Sequence, residues 1–92
     1  MQSIIQSDKK CFICGNYTVH KHHIFYGTAN RSKSEKWGCW CYLCPKHHNM
    51  SDDGVHFNKA LDTYLKQYTQ TKFEEIYGHD QFMSIFHKNY RG

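Results

Sequence analysis

Long apolar runs are missing from this chain, and so is proline apart from Pro45. No stretch approaches the roughly 18 apolar residues that span a bilayer, which excludes a helical membrane anchor. The first ten residues hold no apolar stretch of signal-peptide length, so secretion is not expected. Apolar residues as a class are scarce, at 39%, and mean hydropathy is −0.81. A single Pro beside 16% aromatic residues nevertheless argues against a disordered or low-complexity chain. There is no internal repeat. With 92 residues, a second independent core would leave each half too small to fold alone, so one domain over 1–92 is expected. A chain this short buries only about 60% of its unfolded surface, and some staple is expected to help it fold.

Five Cys and eight His supply candidates for that staple. A reducing, cytoplasmic setting disfavours disulfides and turns the thiols toward metal binding. An odd count also leaves one thiol over in any all-disulfide scheme. Acidic residues are the other scarcity, eight against twelve Lys and Arg, for a net charge of +4. The excess is uneven. Residues 1–51 carry seven basic groups against two acidic, a net of +5, and residues 52–92 carry five against six. All five Cys and most of the His lie in the basic half. Metal chemistry beside positive charge suits a polyanion such as nucleic acid, although +4 alone is also ordinary solubilising charge.

Residues 1–10 read as a loosely ordered lead-in, and Cys11 to Gly15 as a tight knuckle. The run TVHKHHIFY, 18–26, is β-branched and aromatic and predicts a strand. GTANRSKSEK, 27–36, reads as a polar loop, and WGCWCYL, 37–43, as a second strand forming a hairpin with the first. Pro45 suits the first turn of a short helix over 45–50. From Val55 the period changes to three and four. Phe57, Ala60, Leu61, Tyr64, Leu65 and Tyr68 predict an amphipathic helix, which Phe73, Ile76 and Tyr77 continue to a stop at Gly78. Asp80 would cap a last helix carrying Phe82, Ile85, Phe86 and Tyr90. Tyr64, Tyr68 and Tyr77 are expected in the core. Trp37 and Trp40 are expected on opposite faces of the second strand, one of them exposed.

Two pairs of thiol and imidazole donors stand out. Cys11-x-x-Cys14 is followed some thirty residues later by Cys44-x-x-His47. A two-residue spacer lets both side chains of a pair converge on one ion, and two such pairs close a tetrahedron around Zn²⁺. Cys41-x-x-Cys44 is an alternative pair. Cys39 and Cys41 alternate along a strand, however, and Pro45 turns the chain toward His47, so both are read as packing residues. His22 and His23 are neighbours on a strand and face opposite sides. His47 and His48 repeat the dipeptide at a helix start, where 100° separates them.

A CxxC knuckle, a His-His-Ile strand and Leu-Cys-x-x-His-His at a helix start together resemble the zinc-stabilised HNH endonucleases of phages and prophages. The tract HHIFYGTANR to YLCPKHHNMS carries the likeness, within residues 11–58. The resemblance implies a small α+β fold: a ββα-metal (His-Me finger) core over 11–58 with a structural zinc, then a helical extension over 59–92. It implies that His22 and His48 hold a catalytic divalent ion, with His56 as the third ligand. His23 is implied as the general base. The family's middle Asn falls on Cys39, which cannot do an amide's work; Asn30 is the candidate replacement, and Asn49 the second. The implied setting is a bacterial host cell, with partners in genome packaging or recombination.

The implied chemistry is coherent. An imidazole near neutrality can take a proton from water, and a divalent ion can neutralise the phosphate. A His-rich site favours Mn²⁺, Ni²⁺ or Zn²⁺ over Mg²⁺. Arg31, beside Asn30, can clamp a phosphate. Lys21, Lys33, Lys36 and Lys46 would add sequence-neutral contacts to the DNA backbone. Metal-dependent DNA hydrolysis is the favoured function. A zinc-stapled, non-catalytic DNA-binding module is the alternative, and an interaction protein with a purely structural metal a third class.

Overall fold

The computed structural model describes residues 1–48, 54 and 58–92. Among these residues it forms a small α+β fold with a two-stranded sheet and four helices in the order β1 (His20–His23), α1 (Asn30–Trp37), β2 (Trp40–Leu43), α2 (Pro45–His48), α3 (Lys59–Tyr77) and α4 (His79–Phe86). No helix among the described residues is long and apolar enough to cross a membrane. The strands pair antiparallel, with His20 opposite Leu43, Lys21 opposite Tyr42, His22 opposite Cys41 and His23 opposite Trp40.

The hairpin is real but its strands are shorter than the sequence suggests. Ile24 and Phe25 leave the sheet and enter the core, where both are fully buried. The connection expected as a loop over 27–36 contains α1, and Trp37 ends that helix instead of opening a strand. Polar bonds hold α1 in place. Ser34 is buried, accepts from the Phe25 N–H at 3.1 Å and donates to the Phe25 carbonyl at 2.7 Å. Lys33 donates its ammonium to the Ile85 carbonyl at 2.7 Å. With no apolar stripe, the segment shows no helical period in the sequence. Gly38 ends it at φ +73, donating to the Ser34 carbonyl.

The lead-in is also more ordered than expected. Ile4 N–H donates to the Gly38 carbonyl at 2.9 Å, and the Ser3 hydroxyl donates to the Trp40 carbonyl. Gln6 accepts from the Tyr42 N–H at 2.9 Å, and the Trp40 indole donates to the Met1 carbonyl at 3.2 Å. These bonds lay residues 1–6 along β2 and cover edge groups that a two-stranded sheet would otherwise expose.

Asn58 caps α3, its side chain accepting from the Leu61 N–H at 3.0 Å. The predicted start at Val55 and the predicted end of the short helix at Met50 lie outside the described residues. Gly78 separates α3 from α4 with no room for a linker, so α4 opens at His79 and Asp80 sits in its first turn, not at the cap. The core joins the sheet to α3 and α4 through aromatic rings. Phe25 lies 4.5 Å from Phe86 and 5.3 Å from Phe82, and Phe73 lies 5.5 Å from Phe82, centre to centre. Two expectations fail here. Tyr64 is 51% exposed, on the flank of α3 turned from the core. Neither Trp is exposed: Trp37 packs edge-on to Tyr77 at 5.2 Å, and Trp40 is buried beneath the lead-in.

Candidate metal centre and histidine cleft

The knuckle is a backbone device. Cys11 N–H donates to the Asn16 carbonyl at 2.7 Å, and Gly15 N–H to the Cys11 carbonyl at 2.9 Å, with Gly15 at φ +78. Phe12 N–H donates to the Tyr42 carbonyl at 2.8 Å, which ties the knuckle to β2. At the other end of β2, His47 and His48 N–H both bond to the Cys44 carbonyl as α2 begins. These turns bring Cys11, Cys14, Cys44 and His47 together, with their ligand atoms all within 4.8 Å of one another.

The spacing fits a tetrahedral ion. Zinc bonds of about 2.3 Å to sulfur and 2.0 Å to nitrogen put ligand atoms roughly 3.5–3.8 Å apart. Cys14 Sγ and Cys44 Sγ are 3.6 Å apart, Cys11 Sγ and His47 Nδ1 3.7 Å, and Cys44 Sγ and His47 Nδ1 3.3 Å. The sulfurs are too far apart for a disulfide, whose S–S bond is about 2.05 Å, and all five thiols are free. Burial pushes the Cys11 thiol up, but backbone donors at Cys44, Cys14 and Ile13 outweigh it and bring it down to about 6, which favours the ligating thiolate. These four residues could hold a metal ion such as zinc. Cys39 and Cys41 stand apart as packing residues. Both are fully buried, and burial pushes each thiol up to about 12.

One peptide bond beyond His47, His48 belongs to a different place. It lines a cleft of about 440 Å³ together with Lys21, His22, His23, Thr28 and Arg31. The strand alternation works as expected. His22 turns toward α2 and lies edge-on to His48, ring centres 5.3 Å apart, while His23 turns toward α1. His22 is only 3% exposed. His20, two residues back on the His22 side, stacks over His48 at 6.2 Å. On the other face, His23 Nε2–H donates to Glu35 Oε1 at 3.0 Å, and Lys21 donates to both Glu35 oxygens at 3.2 Å. The bonds from His23 and Lys21 hold the Glu35 carboxyl below its ordinary value. Lys21 also lies 4.1 Å from the centre of the Trp40 ring.

The other candidates are scattered. Arg31 reaches the cleft from the first turn of α1 and is exposed. Asn30 opens α1, and among the described residues its side chain makes no hydrogen bond to His23. Lys33 and Lys21 are engaged by Ile85 and Glu35, while Lys36 and Lys46 are on the exposed surface. His56 and Asn49 lie outside the described residues. Glu35 escaped the sequence reading altogether. Its only signal is that it is one of two acidic groups in a basic half, and its partners become visible once 30–37 is a helix. No protein-family model matches this chain, and no curated protein or solved structure matches it either.

Proposed function

We propose that the chain is a metal-dependent DNA endonuclease of the HNH type, built on a ββα-metal core formed by β1, β2 and α2, with zinc at the Cys11, Cys14, Cys44 and His47 centre. The observation that carries this reading is the divided histidine pair. His22 and His23 sit on opposite faces of one strand at one cleft, and His22 meets His48 across it at 5.3 Å.

The His22 and His48 rings suit one divalent ion. Two imidazoles sharing an ion, each nitrogen about 2.1 Å away, have ring centres roughly 5 Å apart. Such an ion would supply charge neutralisation for the phosphate and the departing oxygen. The chain's own residues would do the rest. His23, half-buried at the cleft wall, accepts the proton of the attacking water. Arg31, exposed at the rim, takes a phosphate oxygen pair through its planar fork. Lys36 and Lys46 add backbone contacts that read no sequence and weaken with salt.

The test is plasmid nicking by wild type and His23→Ala in Mn²⁺, Ni²⁺, Mg²⁺ or a chelator, with bound zinc measured on both proteins. Wild type is expected to convert supercoiled plasmid to open circle, best with Mn²⁺ or Ni²⁺. His23→Ala is expected to lose about 100-fold or more at equal zinc content, the span of a lost general base. If wild type binds DNA but does not cut it with any of these ions, the chain is the non-catalytic DNA-binding module instead.

A further inference from the structure

We infer that Glu35 is the positioning residue of His23, holding the ring through Nε2 so that Nδ1 is the nitrogen left to accept a proton; its catalytic part rests on the nuclease reading above. A carboxylate can only accept hydrogen bonds. The 3.0 Å contact between Glu35 Oε1 and His23 Nε2 therefore fixes the neutral ring with its proton on Nε2. A base must present a lone pair, and the second nitrogen is the one that this contact leaves for it. A His–carboxylate pair of this kind orients the imidazole, as in other proton-transfer sites.

The carboxylate is itself held. Lys21 binds both of its oxygens at 3.2 Å, from the same face of β1 as His23, and stacks over Trp40 of β2. Glu35 reaches them from α1, whose own position is set by the doubly bonded Ser34 next to it. Three elements thus fix one ring. On the HNH resemblance Cys39 stands where a bracing Asn is expected; the ring is braced instead by a side chain of α1, and Asn30, at the start of that helix, makes no hydrogen bond to it.

The experiment has two readouts on wild type, Glu35→Gln and Glu35→Ala, all checked for equal zinc content and unchanged helical signal. The first is proton NMR with ¹⁵N-labelled histidine. A slowly exchanging His23 Nε2–H resonance is expected in wild type and lost in Glu35→Ala. Its absence from wild type, or its survival in Glu35→Ala, overturns the inference. The second is nicking kinetics. Glu35→Ala is expected to lower kcat by about ten-fold or more with KM unchanged, and Glu35→Gln, which keeps an acceptor without the charge, to fall between. An unchanged kcat in Glu35→Ala overturns the catalytic part. Should wild type cleave nothing, the nuclease reading falls, and the NMR arm alone decides whether Glu35 holds the ring.

Discussion

Gly38 shows how much one residue can carry. It ends α1 at φ +73, in the left-handed region that side chains rarely adopt, and its N–H closes the helix onto Ser34. A Cβ there would also run into the Gln2 carbonyl and crowd Ile4 Cγ2 at 3.1 Å. Conformational strain and steric overlap therefore add. Gly38→Ala is expected to cost about 2 kcal/mol or more, read as a lower denaturation midpoint in urea with the slope unchanged. At this scale the Cys and His that could hold a metal ion were legible because ligand chemistry is local. Two residues between donors on a turn suffice, whatever surrounds them. Glu35 was illegible for the opposite reason: its meaning lies in a contact with His23 twelve positions away, across a connection that gave no sign of being helical.

Elements were legible where burial made a pattern. The α3 and α4 periods are written in Leu65, Phe73, Phe82 and Phe86, all buried as expected. Tyr64 shared the apolar letter code but lies just outside the stripe, because a tyrosine satisfies a helical period from the flank as readily as from the centre. Helix α1 was hidden because Ser34 and Lys33 dock it by hydrogen bonds. The junction of α3 and α4 rests on a polar device of the same kind. Glu74 accepts from Gln70 at 2.9 Å, from His79 at 2.6 Å and from Arg91 at 2.8 Å, joining both helices to the C-terminal residues. Burial pushes the Glu74 carboxyl up, but the bonds from Gln70, His79 and Arg91 outweigh it and hold it below its ordinary 4.5. A carboxyl lowered in the folded state binds fewer protons there than in the unfolded chain. Its contribution is therefore complete above about 4.5 and is lost as pH falls through the folded value. Glu74→Gln is expected to flatten the acid side of the stability–pH curve, measured by urea unfolding at a series of pH values.

On the scale of the whole molecule, one buried core runs from the knuckle and the sheet into α3 and α4, and a metal at the Cys and His centre would add a second means of cohesion at one end of it. The aromatic cluster of Phe25, Phe73, Phe82 and Phe86 binds the helices to one side of the sheet. A metal held at the Cys and His centre would join the knuckle to the β2–α2 turn, a closure between residues about thirty apart. Metal binding at such a centre is worth of order 10 kcal/mol in small domains, comparable to the entire stability of a fold this size. Chelation, or Cys44→Ser, is expected to disorder β1, β2 and the histidine cleft before the α3–α4 pair. The sign would be early loss of β1 and β2 amide dispersion in two-dimensional NMR spectra while far-UV helical signal persists. Loss of both signals together at the first step would count against separable halves. Each end of the core has its own optical probe. Trp40 lies under the lead-in with its indole bonded to Met1 and a cation over its ring, whereas Trp37 is wedged against Tyr77 and Phe73. Replacing either one with phenylalanine leaves a single tryptophan, which can be excited apart from the seven tyrosines. The two resulting proteins would report, by colour and quenching alone, whether the start of the chain peels away while the aromatic half is still folded.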